Sequence, residues 1–172
     1  IPSAQRATAD AAGPVMDVVA ARQELIGDGE RSRAPLLLTA DAMARRGRYG
    51  DATALINGAT AANPRDFEAW LAQGIALTEH ADGVLTAPAL FALRRAAALR
   101  PGHPAPGYFL GLAMIRQGQL PEARQVWAQT LAAAPADAAG RAALAERLAR
   151  LDQLLGMLAA GQGQAPAAVP AP

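Results

Sequence analysis

Apolar residues recur at intervals of three and four along most of the chain, and the interruptions fall at glycine or proline. That spacing is the period of an amphipathic helix. The stretch from Pro104 to Asp137 shows it most fully. Tyr108, Leu110, Leu112, Met114 and Ile115 form one helical pattern, with Gly111 among them. Gln117-Gly118-Gln119 is a turn, and Leu120, Ala123, Val126, Trp127 and Leu131 form a second helix. Pro135 closes the unit, because proline has no N–H with which to continue a helix. Small residues at Gly111 and Ala123 let two antiparallel helices approach closely, while Leu110 and Trp127 fill the space on either side.

The same order recurs twice upstream. Trp70 and Gly74 precede Ala89, Leu93 and Ala96, and before them Leu36, Leu37, Leu38, Ala40 and Met43 precede Ala52, Leu55, Ile56 and Ala59. The alanines Ala52, Ala89 and Ala123 and the prolines Pro64, Pro101 and Pro135 share the spacings 37 and 34. Two independent markers in one register identify the 34-residue tetratricopeptide (TPR) pattern, a helix–turn–helix unit that buries its apolar face against its neighbours. The three extra residues fall in the middle turn, His80-Ala81-Asp82-Gly83, where a loop absorbs them at little entropic cost. The expected fold is all-α: a right-handed superhelical array of three TPR helix pairs over about 33–66, 67–103 and 104–137.

Helices flank the repeats. Val15, Val18, Val19, Arg22 and Leu25 fall at helical spacing between Pro14 and Ile26, and Gly27-Asp28-Gly29 ends the run. This N-terminal capping helix is expected to cover the first repeat. A long C-terminal capping helix is expected over about 137–158. Its leucines Leu144, Leu148, Leu151, Leu155 and Leu158 recur at steps of 4, 3, 4 and 3. Such a stripe also suits a coiled-coil dimer, but a repeat array needs a terminal cap. Residues 1–13 read as a flexible linker and 160–172, rich in proline and alanine, as a disordered tail; the TPR domain is expected over 14–159.

Composition narrows the function. The chain has 172 residues, a net charge of +1 and no cysteine. Without cysteine there is no disulfide, thiolate nucleophile or covalent haem attachment within it. Its sixteen basic residues are all arginine, a mark of a GC-rich genome more than of a binding surface. Arg45, Arg46 and Arg48, like Arg94 and Arg95, read as solvated helix faces, and no basic run points to nucleic acid. His80 and His103 read as exposed loop histidines without companion ligands, so no metal site and no cofactor are expected. Ser3 and Ser32 lie in no nucleophile motif, and an enzyme is not expected.

A stack of helix pairs presents a concave surface built from the first helix of each pair. Positions 5, 9 and 13 of each unit face it: Leu37, Asp41 and Arg45, then Leu71, Ile75 and Glu79, then Tyr108, Leu112 and Arg116. The groove is apolar in the middle with charges of both signs at its edge, which suits an amphipathic helix or an extended apolar peptide. Some of these side chains, Leu37 and Leu112 among them, are equally suited to packing against a terminal helix.

Two segments carry a closer resemblance. Pro106–Asp137, and the lengthened middle turn Gly83–Leu90 leading into Phe91–Pro101, are similar to the periplasmic TPR domain of cytochrome c biogenesis proteins of the CycH, CcmI and NrfG type. The resemblance covers about residues 15–158. It implies a periplasmic domain, tethered to the inner membrane by a segment upstream of residue 1. It implies as partners apocytochrome c, held through its C-terminal helix, and the haem ligation machinery. The repeats alone fit equally a general TPR scaffold or a structural subunit of another envelope complex.

Overall fold

The computed structural model describes residues 16–163, and among these every regular element is helical. The linker expected over 1–13 and the end of the tail, 164–172, lie outside the described residues. The helices are α1 (Val18–Leu25), α2 (Pro35–Arg45), α3 (Tyr49–Ala62), α4 (Phe67–His80), α5 (Ala87–Leu99), α6 (Pro104–Arg116), α7 (Leu120–Ala133) and α8 (Arg141–Gln162), with a 3-10 turn at Asp28–Glu30. The pairs α2–α3, α4–α5 and α6–α7 are the three repeats, and each packs on the next.

Local chemistry sets the boundaries. Asp66 caps α4, accepting the Ala69 N–H at 3.0 Å, and Thr86 caps α5, so the first orphan donors of each helix are met by a side-chain oxygen. Proline stands in the first turn of α2, α5, α6 and α7, where its missing N–H is not needed. The outer two intra-pair turns pass through a left-handed glycine, Gly47 (φ 73°) and Gly118 (φ 76°). The longer middle turn uses two left-handed residues in succession, Asp82 (φ 54°) and Gly83 (φ 86°), and so takes up the three extra residues outside the helices.

Close approach within a pair rests on the small residues. Ala52, Ala89 and Ala123 are fully buried. A β-carbon on Gly111 would stand 2.2 Å from Trp127 Nε1, and one on Gly74 would stand 2.6 Å from the Leu93 side chain. The space denied to Gly111 is filled by the Trp127 ring, which stacks on Tyr108 (centroids 5.7 Å apart, planes 7° apart) and donates from Nε1 to the Tyr108 carbonyl at 3.0 Å.

The flanking helices differ in role. Helix α8 packs on α7 and α6, burying Leu144 and Leu151, with Arg124 of α7 paired to Asp152 at 2.6 Å. It ends the array as a cap. It starts at Arg141, after a left-handed Gly140, and runs to Gln162, so the tail read from residue 160 begins later. The Gly163 N–H still bonds the Ala159 carbonyl, and glycine near the end of a helix costs little where the chain is about to leave it. Helix α1 packs on α2 of the first repeat, as a cap would, and goes further: it also touches α4 and α6. It therefore lies along the concave side of all three pairs.

Gly111→Ala tests the close approach. Alanine raises intrinsic helix propensity by about 1 kcal/mol, yet its methyl would overlap the Trp127 ring, and overpacking costs about 1–3 kcal/mol. Urea unfolding is expected to show a net loss of stability, with Trp127 fluorescence reporting the displaced ring.

Candidate functional site

Helix α1 is short but strongly two-sided. Val18, Val19, Arg22, Leu25 and Ile26 are buried, whereas Asp17 and Glu24 face solvent. The Asp17 carboxylate caps the helix, accepting the Ala20 N–H at 3.0 Å. Its apolar stripe straddles two hydrophobic clusters. Val19 joins Leu37, Ala40 and Ala44 of α2. Val18, Leu25 and Ile26 join Leu71 and Ile75 of α4 and Tyr108 of α6. The helix runs from the C-terminal ends of α2 and α4, where Asp17 lies 3.9 Å from Arg45, toward their N-terminal ends, where Arg22 meets Glu68.

Arg22 is the polar centre of this contact and is 3% exposed. Its two terminal nitrogens donate to both oxygens of Asp41, at 3.0 and 2.7 Å, and its Nε donates to Glu68 Oε1 at 3.1 Å. One planar guanidinium thus ties α1 to α2 and α4 together. Asp41 and Glu68 are also buried. The other Glu68 oxygen accepts the Ser32 N–H, so the connection from α1 to α2 is held against the same carboxylate. Arginine suits this place because its fork of donors matches a carboxylate edge and still leaves Nε free for a second acceptor.

The nine residues assigned to the groove by spacing divide into two groups. Leu37, Asp41, Leu71, Ile75 and Tyr108 lie beneath α1, Leu71 and Tyr108 with 0% and 1% exposure. Burial pushes the Tyr108 phenol up, against the opposing pull of Arg147, whose guanidinium sits 5.3 Å from the ring centroid. Arg45, Glu79, Leu112 and Arg116 form the open end. Arg116 is exposed and pairs with Glu79 across α4 and α6, while Leu112 is half-buried beside Val18. The structure therefore brings the set together on one concave face, with a helix of the same chain already on part of it. The spacing rule missed Arg22 and Glu68. One signal was present: Arg22 stands on the apolar stripe of its own helix, where a charge needs a buried partner.

A second polar cluster holds the chain between α1 and α2. Glu30 accepts the Gly27 N–H at 3.0 Å, lies 2.6 Å from His103 Nε2 and 3.6 Å from Arg100. His103 is not an exposed loop residue. Its side chain is 6% exposed, packs on Phe67 and caps α6, its Nδ1 accepting the Ala105 N–H at 3.1 Å. With Nδ1 acting as acceptor, Nε2 carries the proton and donates to Glu30. The sequence could not show this, because the two residues are 73 positions apart. His80, by contrast, is exposed at the end of α4. Partial burial works against the Glu30 charge, but the Gly27 N–H, His103 and Arg100 outweigh it and hold the carboxyl below its ordinary value of 4.5.

Arg22→Met keeps most of the side-chain bulk and removes the charge. It leaves Asp41 and Glu68 buried without their cation, a loss of about 3–5 kcal/mol, which urea denaturation at neutral pH would register as a lower midpoint. Glu30 adds a pH term. Its folded pKa is depressed, so its contribution is complete above about pH 4.5 and is lost as pH falls through the lower folded value. Glu30→Gln is expected to lower stability at pH 7 and to flatten the fall in melting temperature between neutral and acid pH.

Comparisons with known proteins agree with this architecture. The tetratricopeptide repeat model matches residues 86–147. The chain is 36% identical over 112 residues, 65% of its length, to the cytochrome c-type biogenesis protein CycH of Bradyrhizobium diazoefficiens, and spans 30% of the length of that curated relative. Among solved structures it is similar to the type III secretion translocator chaperone SycD of Yersinia enterocolitica, with a TM-score of 0.57 and 15% identity, covering 88% of this chain and 98% of that one. At that identity SycD speaks for the fold alone. Among the described residues no helix is long and apolar enough to cross a membrane. Helix pairs, repeat model and curated relative converge on a tetratricopeptide-repeat protein-interaction module similar to CycH.

Proposed function

We propose that this chain is a non-catalytic module that holds an amphipathic helix of a client protein in its concave groove, in the service of cytochrome c maturation. The observation that carries the reading is that the groove already accepts such a helix, α1, with an apolar stripe on α2, α4 and α6 and a charge held in the middle. Similarity to CycH supports the choice of pathway. The client is then apocytochrome c, presented by its C-terminal helix to the haem ligation machinery. The place is the periplasmic side of the inner membrane, with a tether upstream of residue 1. The contact set is the concave face from Leu37 to Arg116, with Arg45, Glu79, Leu112 and Arg116 as the part open to a first encounter.

A scaffold role in another envelope assembly has one observation in its favour. The far end of α8 leaves Leu154, Met157 and Leu158 exposed, an apolar strip that a neighbouring subunit would cover.

Calorimetric titration of the full chain with synthetic C-terminal helices of the host's c-type cytochromes separates the two. Micromolar or tighter binding, lost on scrambling the peptide and weakened several-fold by Arg116→Glu, is the expected outcome. No binding at high peptide concentration would overturn the cytochrome reading, and capture of a cytochrome-free complex dependent on Leu154 and Met157 would replace it with the scaffold.

A further inference from the structure

We infer that α1 is the groove's own ligand, displaced when a partner binds, and that the partner is a helix carrying an arginine that replaces Arg22 between Asp41 and Glu68. The inference rests on the helix-binding reading above and specifies the chemistry of the helix. Asp41 and Glu68 are buried on the floor of the groove, on two different repeats, and both point their oxygens at one guanidinium. Any occupant that displaces α1 inherits these two carboxylates. A purely apolar helix would leave both carboxylates desolvated without a counter-charge, so it is rejected however well it fits the clusters on either side. A lysine could reach one carboxylate but has no fork to span Asp41 while holding Glu68 through a third donor. The pattern on α1 supplies the rest of the requirement: apolar residues four and three positions before the arginine (Val18, Val19) and three and four after it (Leu25, Ile26).

The contact is built to exchange. Helix α1 is one short segment of 8 residues, whereas each helix beneath it is paired along its length within a repeat. Removing α1 uncovers the groove without opening a helix pair. Because α1 is tethered, it competes at high effective concentration, and a partner meets a groove whose open fraction scales its apparent affinity. Only helices with the full pattern compete well, which makes α1 a filter as well as a lid.

The test uses the full chain and a fluorescent synthetic peptide of residues Met16–Gly27, in its native form and with Arg22→Gln, read by anisotropy. Against the Arg22→Gln chain, the arginine peptide is expected to bind at least tenfold tighter than to the wild type, and at least tenfold tighter than the glutamine peptide. Equal binding of the two peptides overturns the inference. A second arm does not depend on that variant folding. A β-carbon on Gly27 would stand 3.8 Å from that of Ala139, within disulfide range. The chain has no other cysteine, so Gly27→Cys/Ala139→Cys forms a single bond that pins the end of α1. Oxidation is expected to reduce binding of the arginine peptide at least tenfold, and reduction to restore it. Binding unchanged by oxidation, or absent from both forms at millimolar peptide, overturns the inference. Cytochrome helices that bind the oxidised and reduced chains alike would tell against the inference alone. Failure of cytochrome helices, with exchange of the α1 peptide intact, would tell against the cytochrome reading alone.

Discussion

Each helix pair in this chain carries apolar side chains on two faces, one toward its partner helix and one into the groove. The first is satisfied inside the pair, by glycine and alanine at the crossing and a large residue beside them. The second cannot be satisfied by the pair at all. Leu37, Leu71, Ile75 and Tyr108 sit on that inner face, buried, with α1 packed against them and, for Tyr108, the Trp127 ring and the Arg147 guanidinium as well. The array is thus completed by a segment from outside its repeats. Burying one such side chain contributes about 1.5–3 kcal/mol, so the cover is worth several of these at once and is more than ornament on a finished stack.

The polar contacts follow from that cover. A helix lying across three pairs needs its position along the groove fixed, and apolar contacts are weakly directional. Arg22 supplies direction, because its fork engages Asp41 and its remaining donor engages Glu68. The connection after α1 is fixed in turn by Glu30 on Arg100 and His103, at the junction of the second and third repeats, and by Ser32 on Glu68 and Asp66. Buried ion pairs contribute modestly to net stability compared with well-packed apolar groups, but breaking one partner is costly. They act here as register marks.

Much of this was legible in the sequence, for a physical reason. The repeat is a local pattern: Gly111, Ala123 and Trp127 act on residues within one helix pair, so their spacing carries the information. The concave set at positions 5, 9 and 13 was legible because helical period alone decides which side faces inward. What filled the groove was not, since that depends on where a separate helix settles. The partners of Arg22 lie 19 and 46 positions away, and the Arg100 and His103 partners of Glu30 lie farther still. Spacing within a helix says nothing about such pairs. The same limit explains why His103 reads as a loop histidine until Glu30 and Phe67 are seen against it.

The position of α1 across all three repeats has a consequence for the order of events during synthesis. This helix precedes every repeat in the chain, yet its seat is not complete until α6 is in place. Val18 and Leu112, which line one gap, are 94 positions apart in sequence. Contacts of such long range form late, because the intervening loop must be closed before they are rewarded, whereas helix pairs closed by short turns can form as they emerge. On the first repeat, by contrast, Arg22 meets Asp41 only 19 positions away, so α1 finds that part of its seat early and the part supplied by α6 last.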